Sequence, residues 1–529
     1  MKSERPESVN RVSPMRGGSQ YPSRVRSVLS NWCGFAFSSV VAFFLSPFVV
    51  RHLGNSGYGI WALTLSVTGY LGLLDMGVRG AVTRYVAKFH VQGADEDASR
   101  VASSGLTIFL GAGVLAILFS VGIAVFAVGP LKIPESYRYV AKAVIIVAGV
   151  NIAVSLIGGV FGGVVAALQR FDLINGLEIA GTGLRAVAIV FVLSYGRGLI
   201  SLAVVQLLFG ILTSLAYFAF AFRLYPRLKI HFSRCDMENL KLIFSFSTYA
   251  FILQASLYLI LYTDSIVIGA FLPISAVTFF VIAGNLIAYS RGLLSGISMA
   301  SSPIASSLEA QGSLDEIRRV LIKAARFGSM VFLPIGITFL IRGRSFIGLW
   351  MGPSYAGLSG DVLITLTIAQ LFAAGNQAPG SMTVAISRHK GMVPAIVMEG
   401  LCNLGLSIAL VRTYGVVGVA IGTAVPNLLS QLLFWPWYIR RVYGIAPTKY
   451  AFSTWIRPGA ATLPFALCTY GIEKVWPAPN LAVFALQTAV LLPTALLAYW
   501  FFCVDREERL GYRQRFLAPL LGSYGGSNA

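Results

Sequence analysis

AVTRYVAKFHVQGADEDASRV, residues 81–101, has a counterpart in ASSPIASSLEAQGSLDEIRRV, residues 300–320. At a constant offset, Gln92-Gly93 falls on Gln311-Gly312 and Arg100-Val101 on Arg319-Val320, with acidic residues between them in both stretches. A second echo relates QRFDLINGLE and LSYGRG (169–198) to SRHKGMVPAIVMEG and VRTYGVVG (387–418), in the same order and at nearly the same spacing. One echo could be chance. Two in register point to a duplicated unit.

The unit is read from the apolar runs that surround these charged stretches. The 529 residues are 56% hydrophobic and 12% charged, with a mean hydropathy of +0.75. Soluble domains carry about 25% charged residues, so a chain of this composition is solvated by lipid. Apolar runs of about 20 residues, the length a bilayer core requires of a helix, recur along nearly the whole sequence. We place spans at 27–50, 58–84, 104–128, 138–166, 174–195, 198–222, 244–271, 273–300, 325–342, 360–386, 391–412, 415–439, 452–472 and 481–503. The expected fold is an all-α polytopic membrane protein of about fourteen spans. Six spans separate the echoes, an even number, so both copies have the same orientation. Parallel repeats related by an axis along the membrane normal are one plan on which transporters are built.

The expected organisation follows from this count. A basic tail at 1–26 leads into an N-lobe at 27–222, a linker at 223–243 and a C-lobe at 244–442. An appended helix pair follows at 443–503, then a tail at 504–529. The net charge of +20 is concentrated in short links such as RLYPRLKIHFSRCDMENLK (223–241). That distribution is how basic residues set orientation in a membrane, and it makes nucleic acid an unsuitable partner. Both termini are expected in the cytoplasm. The five cysteines (Cys33, Cys235, Cys402, Cys468 and Cys503) are scattered singly, so neither a disulfide framework nor a zinc site is indicated.

Charges inside the apolar runs are the candidate functional groups. Asp75, Arg79 and Arg84 fall on the second span, Glu178 and Arg185 on the fifth, Asp264 on the seventh, Arg291 on the eighth and Glu399 on the eleventh. A charge facing lipid at a helix centre costs about 2.5–3.5 kcal/mol on insertion scales, so such groups are expected to face protein or a wet cavity. Asp75 and Arg79 share a helix face and are spaced to pair. Arg84 and Lys88 have the alternative of snorkelling to headgroups, and Glu178 that of favouring a helix N-terminus. For Arg185, Asp264, Arg291 and Glu399 the alternatives are interhelical salt bridges or one cationic chamber that holds an anionic headgroup. Asn285 and Asn403 are added as polar candidates, although amides inside spans also join helices together.

The stretch RHLGNSGYGIWALTLSVTGYLGLLDMGVRGAVTRYVAKF (51–89) resembles the helix 1–2 region of polysaccharide flippases, the Wzx-type branch of the MOP superfamily. YTDSIVIGAFLP (262–273) is similar to their helix 7, and EGLCNLGLSIALVRTYGVVGVAIGTAV (399–425) to their helices 11–12. The resemblance implies a MATE-like fold, two pseudo-symmetric six-helix lobes with two further helices. It implies translocation of an undecaprenyl-diphosphate-linked oligosaccharide across the inner membrane by alternating access. On that reading Asp75, Arg79, Arg84, Arg185, Asn285, Arg291 and Asn403 line the substrate cavity. Glu178, Asp264 and Glu399 serve coupling or charge pairing, with proton or sodium as the open choice and no other cofactor. The bilayer, a polysaccharide polymerase and export machinery would be its partners. A drug or metabolite antiporter, a peptidoglycan-precursor flippase and a membrane-embedded glycosyltransferase or polymerase remain the alternatives. The enzyme is disfavoured because the outer links are short and offer few acids and the four histidines are scattered.

Overall fold

The computed structural model describes residues 24–230 and 248–512. The tail expected at 1–26, most of the linker at 223–243 and the end of the C-terminal tail lie outside these residues. The described chain is helical, in the order α1 (Arg24–Leu71), α2 (Val78–Val91), α3 (Asp95–Gly122), α4 (Glu135–Ala167), α5 (Phe171–Ser194), α6 (Leu199–Leu224) and α7 (Thr248–Phe271). There follow α8 (Ser275–Ala310), α9 (Leu314–Trp350), α10 (Leu358–Ala385), α11 (Val393–Leu429), α12 (Trp435–Tyr443), α13 (Arg457–Val475) and α14 (Leu481–Phe502). A last short helix covers Arg506–Tyr512.

Eleven of the described helical stretches are long and apolar enough to cross a membrane. Two of them, 34–91 and 389–443, each contain two helices joined at a kink, at Gly54 (φ 67°) and Gly415 (φ 59°). Glycine has no Cβ to clash at positive φ, so the chain turns back there at little cost. With those two stretches divided, and with α13 packed against α14, the helices give the fourteen segments expected from the sequence. α13 is less apolar because Arg457, Glu473 and Lys474 sit at its ends. The chain is a multi-pass membrane protein.

The two lobes repeat each other in detail. α1 packs on α5 as α7 packs on α11, and α3 packs on α4 as α9 packs on α10. Left-handed residues recur at matching positions: Gly93 and Gly312 (both φ 70°), Gln169 (57°) and Ser387 (58°), Gly196 (70°) and Gly415 (59°). The turns they make have the same hydrogen bonds. Gly93 N–H donates to His90 O and Ala94 N–H to Phe89 O, as Gly312 N–H donates to Glu309 O and Ser313 N–H to Leu308 O. These are helix C-terminal motifs in which a left-handed residue satisfies carbonyls left open by the last turn.

Two features depart from the sequence reading. The second span is not one helix over 58–84: it breaks into a 3-10 turn at Gly72–Asp75, and Met76 (φ 45°) and Gly77 (φ 76°) are left-handed before α2 begins. The ninth span, expected at 325–342, runs the full 37 residues of Leu314–Trp350. It carries Arg326 and Arg342 into the protein because partners in the start of the C-terminal tail and on the appended pair, respectively, meet them there. Arg326 pairs with Asp505 (3.2 Å) and Glu508 (2.7 Å), and Arg342 with Glu473 (2.6 Å). The appended pair and the start of the C-terminal tail are thereby joined to α9 of the C-lobe.

Three parts of the chain mark one face: the start of α1, the 92–94 turn and the 311–313 turn. It is called the N-terminal face below. The links 129–134, 271–275 and 350–357 mark the opposite face.

Candidate functional site

Three cavities lie at the level of the charged residues. The first, about 430 Å³, is enclosed by the second half of α1 and by α7, α8, α10 and α11. Tyr58, Trp61, Asp264, Asn285, Arg291 and Gln370 line it, together with Thr423 and Asn427. It therefore lies against the C-lobe, with one N-lobe helix forming a wall. Arg291 is at membrane depth yet presents an open surface, because it faces this space. Its Nη2 donates to Gln370 Oε1 (3.3 Å), and Gln377 Nε2 donates to the Arg291 carbonyl (3.2 Å). Asn427 Nδ2 donates to Glu399 Oε1 (2.7 Å), which brings Glu399 to the cavity edge. Asn285 Nδ2 donates to the Tyr58 hydroxyl (3.4 Å).

Asp264 is buried behind this wall. Thr423 Oγ1 donates to its Oδ2 (2.8 Å) and also to the Val419 carbonyl (3.1 Å), while Asp264 Oδ1 has no hydrogen-bond partner. Ser407 Oγ lies against both Asn403 Oδ1 (3.5 Å) and the Val419 carbonyl (3.4 Å), and Asn403 is itself fully buried. A buried carboxylate oxygen without a donor is costly, and the Thr423 and Ser407 hydroxyls, the Val419 carbonyl and the Asn403 amide oxygen form a chain of contacts leading from Asp264 Oδ2 into both halves of α11. That donor set suits a proton or a small hard cation.

The second cavity, about 370 Å³, lies inside the N-lobe and is lined mainly by polar groups. Arg79, Glu178, Arg185, Gln206, Asn151 and Tyr217 contribute to it. Arg185 Nη1 donates to Gln206 Oε1 (3.4 Å). Arg79 fits because residue 159 is glycine: a Cβ there would lie 2.7 Å from Arg79 Nη2. The third cavity, about 450 Å³, is between the lobes, formed by the broken segment 72–77, by Ile152–Leu156 of α4 and by Phe251, Gln254 and Tyr258 of α7. Asp75 holds Arg79 there, with Nε to Oδ2 at 3.5 Å and the Arg79 N–H donating to Oδ1 (3.3 Å). Arg79 thus stands in the wall shared by the second and third cavities. Between the third and the first, Tyr70 donates or accepts at Thr263 Oγ1 (2.5 Å), and a Cβ on Gly69 would lie 2.6 Å from the Tyr262 ring.

The structure therefore does not collect every expected residue in one chamber. Asp264, Asn285 and Arg291 gather at the first cavity, with Glu399 at its edge and Asn403 behind Asp264. Arg185 and Glu178, expected in the same space, line the N-lobe cavity instead. Asp75 and Arg79 lie between the lobes. Arg84 is exposed toward the N-terminal face, its guanidinium 5.9 Å from the Tyr85 ring centre, and is not among the residues lining these cavities. Thr423, Asn427, Trp61, Gln206 and Tyr217 were not singled out from the sequence. A neutral residue in an apolar run is a weak signal, since only the fold shows which of them stand beside a charge.

Residues 25–309 match the family described as polysaccharide biosynthesis protein. The chain belongs to that family. A protein of Shigella flexneri whose name calls it an O-antigen transporter is 23% identical over 422 residues, which is 79% of this chain and 98% of the relative. Among solved structures, the lipid II flippase MurJ in an inward closed conformation superposes with a TM-score of 0.69 at 14% identity, over 93% of this chain and 99% of that one. An inward-facing multidrug resistance MATE transporter of the MOP superfamily superposes with a TM-score of 0.68 at 16% identity, over 79% of this chain and 98% of that one. This polysaccharide biosynthesis protein thus has the two-lobe fold of that superfamily, and the expectation of a MATE-like architecture holds.

Proposed function

We propose that this protein is a flippase of the inner membrane, with both termini cytoplasmic. It moves an undecaprenyl-diphosphate-linked oligosaccharide from the cytoplasmic to the periplasmic leaflet by alternating access. The observation that carries the reading is the pair of interlobe cavities, in which guanidinium groups stand beside amides, hydroxyls and aromatic rings at membrane depth. Arginine suits a diphosphate because its planar fork makes two charged hydrogen bonds at once. Asn285, Gln370 and Asn427 offer the hydrogen bonds a sugar needs, and Tyr58 and Trp61 offer ring faces. A helix interrupted at a binding cleft, as the second span is at 72–77, is a recurrent transporter device, because the freed backbone groups line a cavity instead of facing lipid. Membership of a polysaccharide biosynthesis family fits a glycan cargo, and polymerase and export proteins would act on what emerges.

Deletion of the gene followed by lipid extraction tests this. A completed undecaprenyl-linked repeat unit should accumulate and surface polysaccharide should fall. Normal polymer with no stalled intermediate, in a strain without a second exporter, would reject the proposal.

Coupling is assigned to Asp264, whose carboxylate would take a proton or a sodium ion beside Thr423, Ser407 and Asn403. Export in membrane vesicles should rise when a proton or sodium gradient is imposed, and Asp264→Asn should abolish that rise while basal export persists. A variant that responds to the gradient as the wild type does would remove Asp264 from the coupling step.

A further inference from the structure

The link 129–134 between α3 and α4 has no part in the cavities, yet it makes the most extensive polar contact between the lobes. Lys132 N–H donates to the Gly269 carbonyl (3.1 Å), and Ile274 N–H donates to the Lys132 carbonyl (3.4 Å). The Lys132 ammonium donates to the Phe271 carbonyl (2.6 Å). Gly269 and Phe271 belong to the last turn of α7, where carbonyls lack intrahelical partners and the helix dipole favours a cation. The backbone of one lobe thus caps a helix of the other, with a charge added at the helix end. Ile133 and Ile274, buried to 4% and 1% exposure, lie in one apolar cluster with Val128, Val277 and Leu63.

Neighbouring contacts close the same face. Thr278 Oγ1 donates to the Asn55 carbonyl (2.7 Å), and the Tyr355 hydroxyl donates to Asn55 Oδ1 (2.5 Å). Trp350 Nε1 donates to the Phe43 carbonyl (3.0 Å), with the two rings stacked at 4.8 Å. Gly59 lets the second half of α1 come against the α7–α8 link, for a Cβ there would lie 2.2 Å from the Ile274 carbonyl oxygen. Among the described residues, two ionic clusters at the N-terminal face each lie within one lobe. Asp95 holds Tyr225 and Arg227 of the N-lobe, while Arg318 holds Asp315 and the Tyr443 carbonyl of the C-lobe.

We infer that Lys132 is the latch of the gate opposite the N-terminal face: its ammonium and backbone clasp the end of α7, and this clasp must release before the cleft can open on that side. The inference rests on the alternating-access reading of the protein. It assigns the link an operative role, in which the Lys132 charge sets the balance between the closed and open states of that face.

The test uses electron spin–spin distances in the full chain, reconstituted in nanodiscs, with labels at Tyr139→Cys and Tyr414→Cys in a background lacking the native cysteines. Both positions are exposed, one on each lobe at the opposite face. Wild-type protein should show one dominant short distance. Lys132→Met should raise the long-distance population by about tenfold, the scale of losing one hydrogen bond to a charged group. Lys132→Arg should restore the short distance, which loss of a merely structural contact of the lysine stem would not require. Gly59→Ala should shift the population the same way as Lys132→Met, by steric wedging. A distribution unchanged in Lys132→Met while Gly59→Ala shifts it would overturn the assignment, as would failure of Lys132→Arg to keep the short distance. The readout needs no substrate, so a protein that proves not to export glycan leaves this result interpretable, and a single immobile distance in every variant would instead count against alternating access.

Discussion

Arg342 shows what a single residue in this protein is asked to do. It is 1% exposed, its Nε meets Glu473 Oε2 at 2.6 Å, its Nη2 meets Gln487 Oε1 at 2.6 Å, and its guanidinium lies 4.2 Å from the Phe484 ring centre. Glu473 also accepts from Ser345. A charge desolvated this far is tolerable only with its partners in place, and removing one partner of a buried pair costs about 3–5 kcal/mol. Arg342→Ala should therefore lower the unfolding midpoint in detergent by the equivalent of about 3–5 kcal/mol. Arg342→Met combined with Glu473→Met should recover most of the loss, since an apolar pair of similar volume needs no compensation. An equal loss in single and double variants would show that the position matters for its packing alone. Nothing local singles out this arginine, because at 342 it stands at the edge of an apolar run and its partners are 131 and 145 positions away.

At the scale of elements, legibility followed the strength of the local signal. The spans at 138–166, 174–195 and 481–503 became Glu135–Ala167, Phe171–Ser194 and Leu481–Phe502, because long apolar runs bounded by polar turns leave few alternatives. The duplication was visible in Gln92-Gly93 and Gln311-Gly312, and the structure gives the reason: each glycine takes the left-handed conformation that ends a helix. The break at 72–77 was hidden, since LLDMG reads as a continuous run until Met76 and Gly77 are seen at positive φ. The length of α9 was hidden for another reason. Lys323 and Arg326 look like a basic link in isolation, but Glu508 and Asp505 lie beside them in the fold. Burial opposes the charge on Asp505, yet Arg457 and Arg326 together hold its carboxyl below the ordinary range. Helix ends that look like loops by charge are thus held as helix by distant partners.

For the whole molecule, the gate contacts and the cavities define one state. The lobes meet at the face of Lys132, Asn55 and Tyr355, while Asp75 and Arg79 line a cavity between the lobes. The charged residues were readable from the sequence as a set, but their division among three cavities was not, because hydropathy reports depth along a helix and not which lobe a side chain faces. Arg291 lines the first cavity and Arg79 the third, whereas Arg185 lines the N-lobe cavity. The most direct measurement places purified protein in liposomes with a fluorescent undecaprenyl-diphosphate oligosaccharide and follows how fast the inner-leaflet pool becomes accessible to an impermeant quencher. Wild-type protein should expose that pool, and Arg291→Ala should slow it by on the order of tenfold, the scale of losing a charged hydrogen bond. A wild-type rate equal to that of protein-free liposomes would contradict the account.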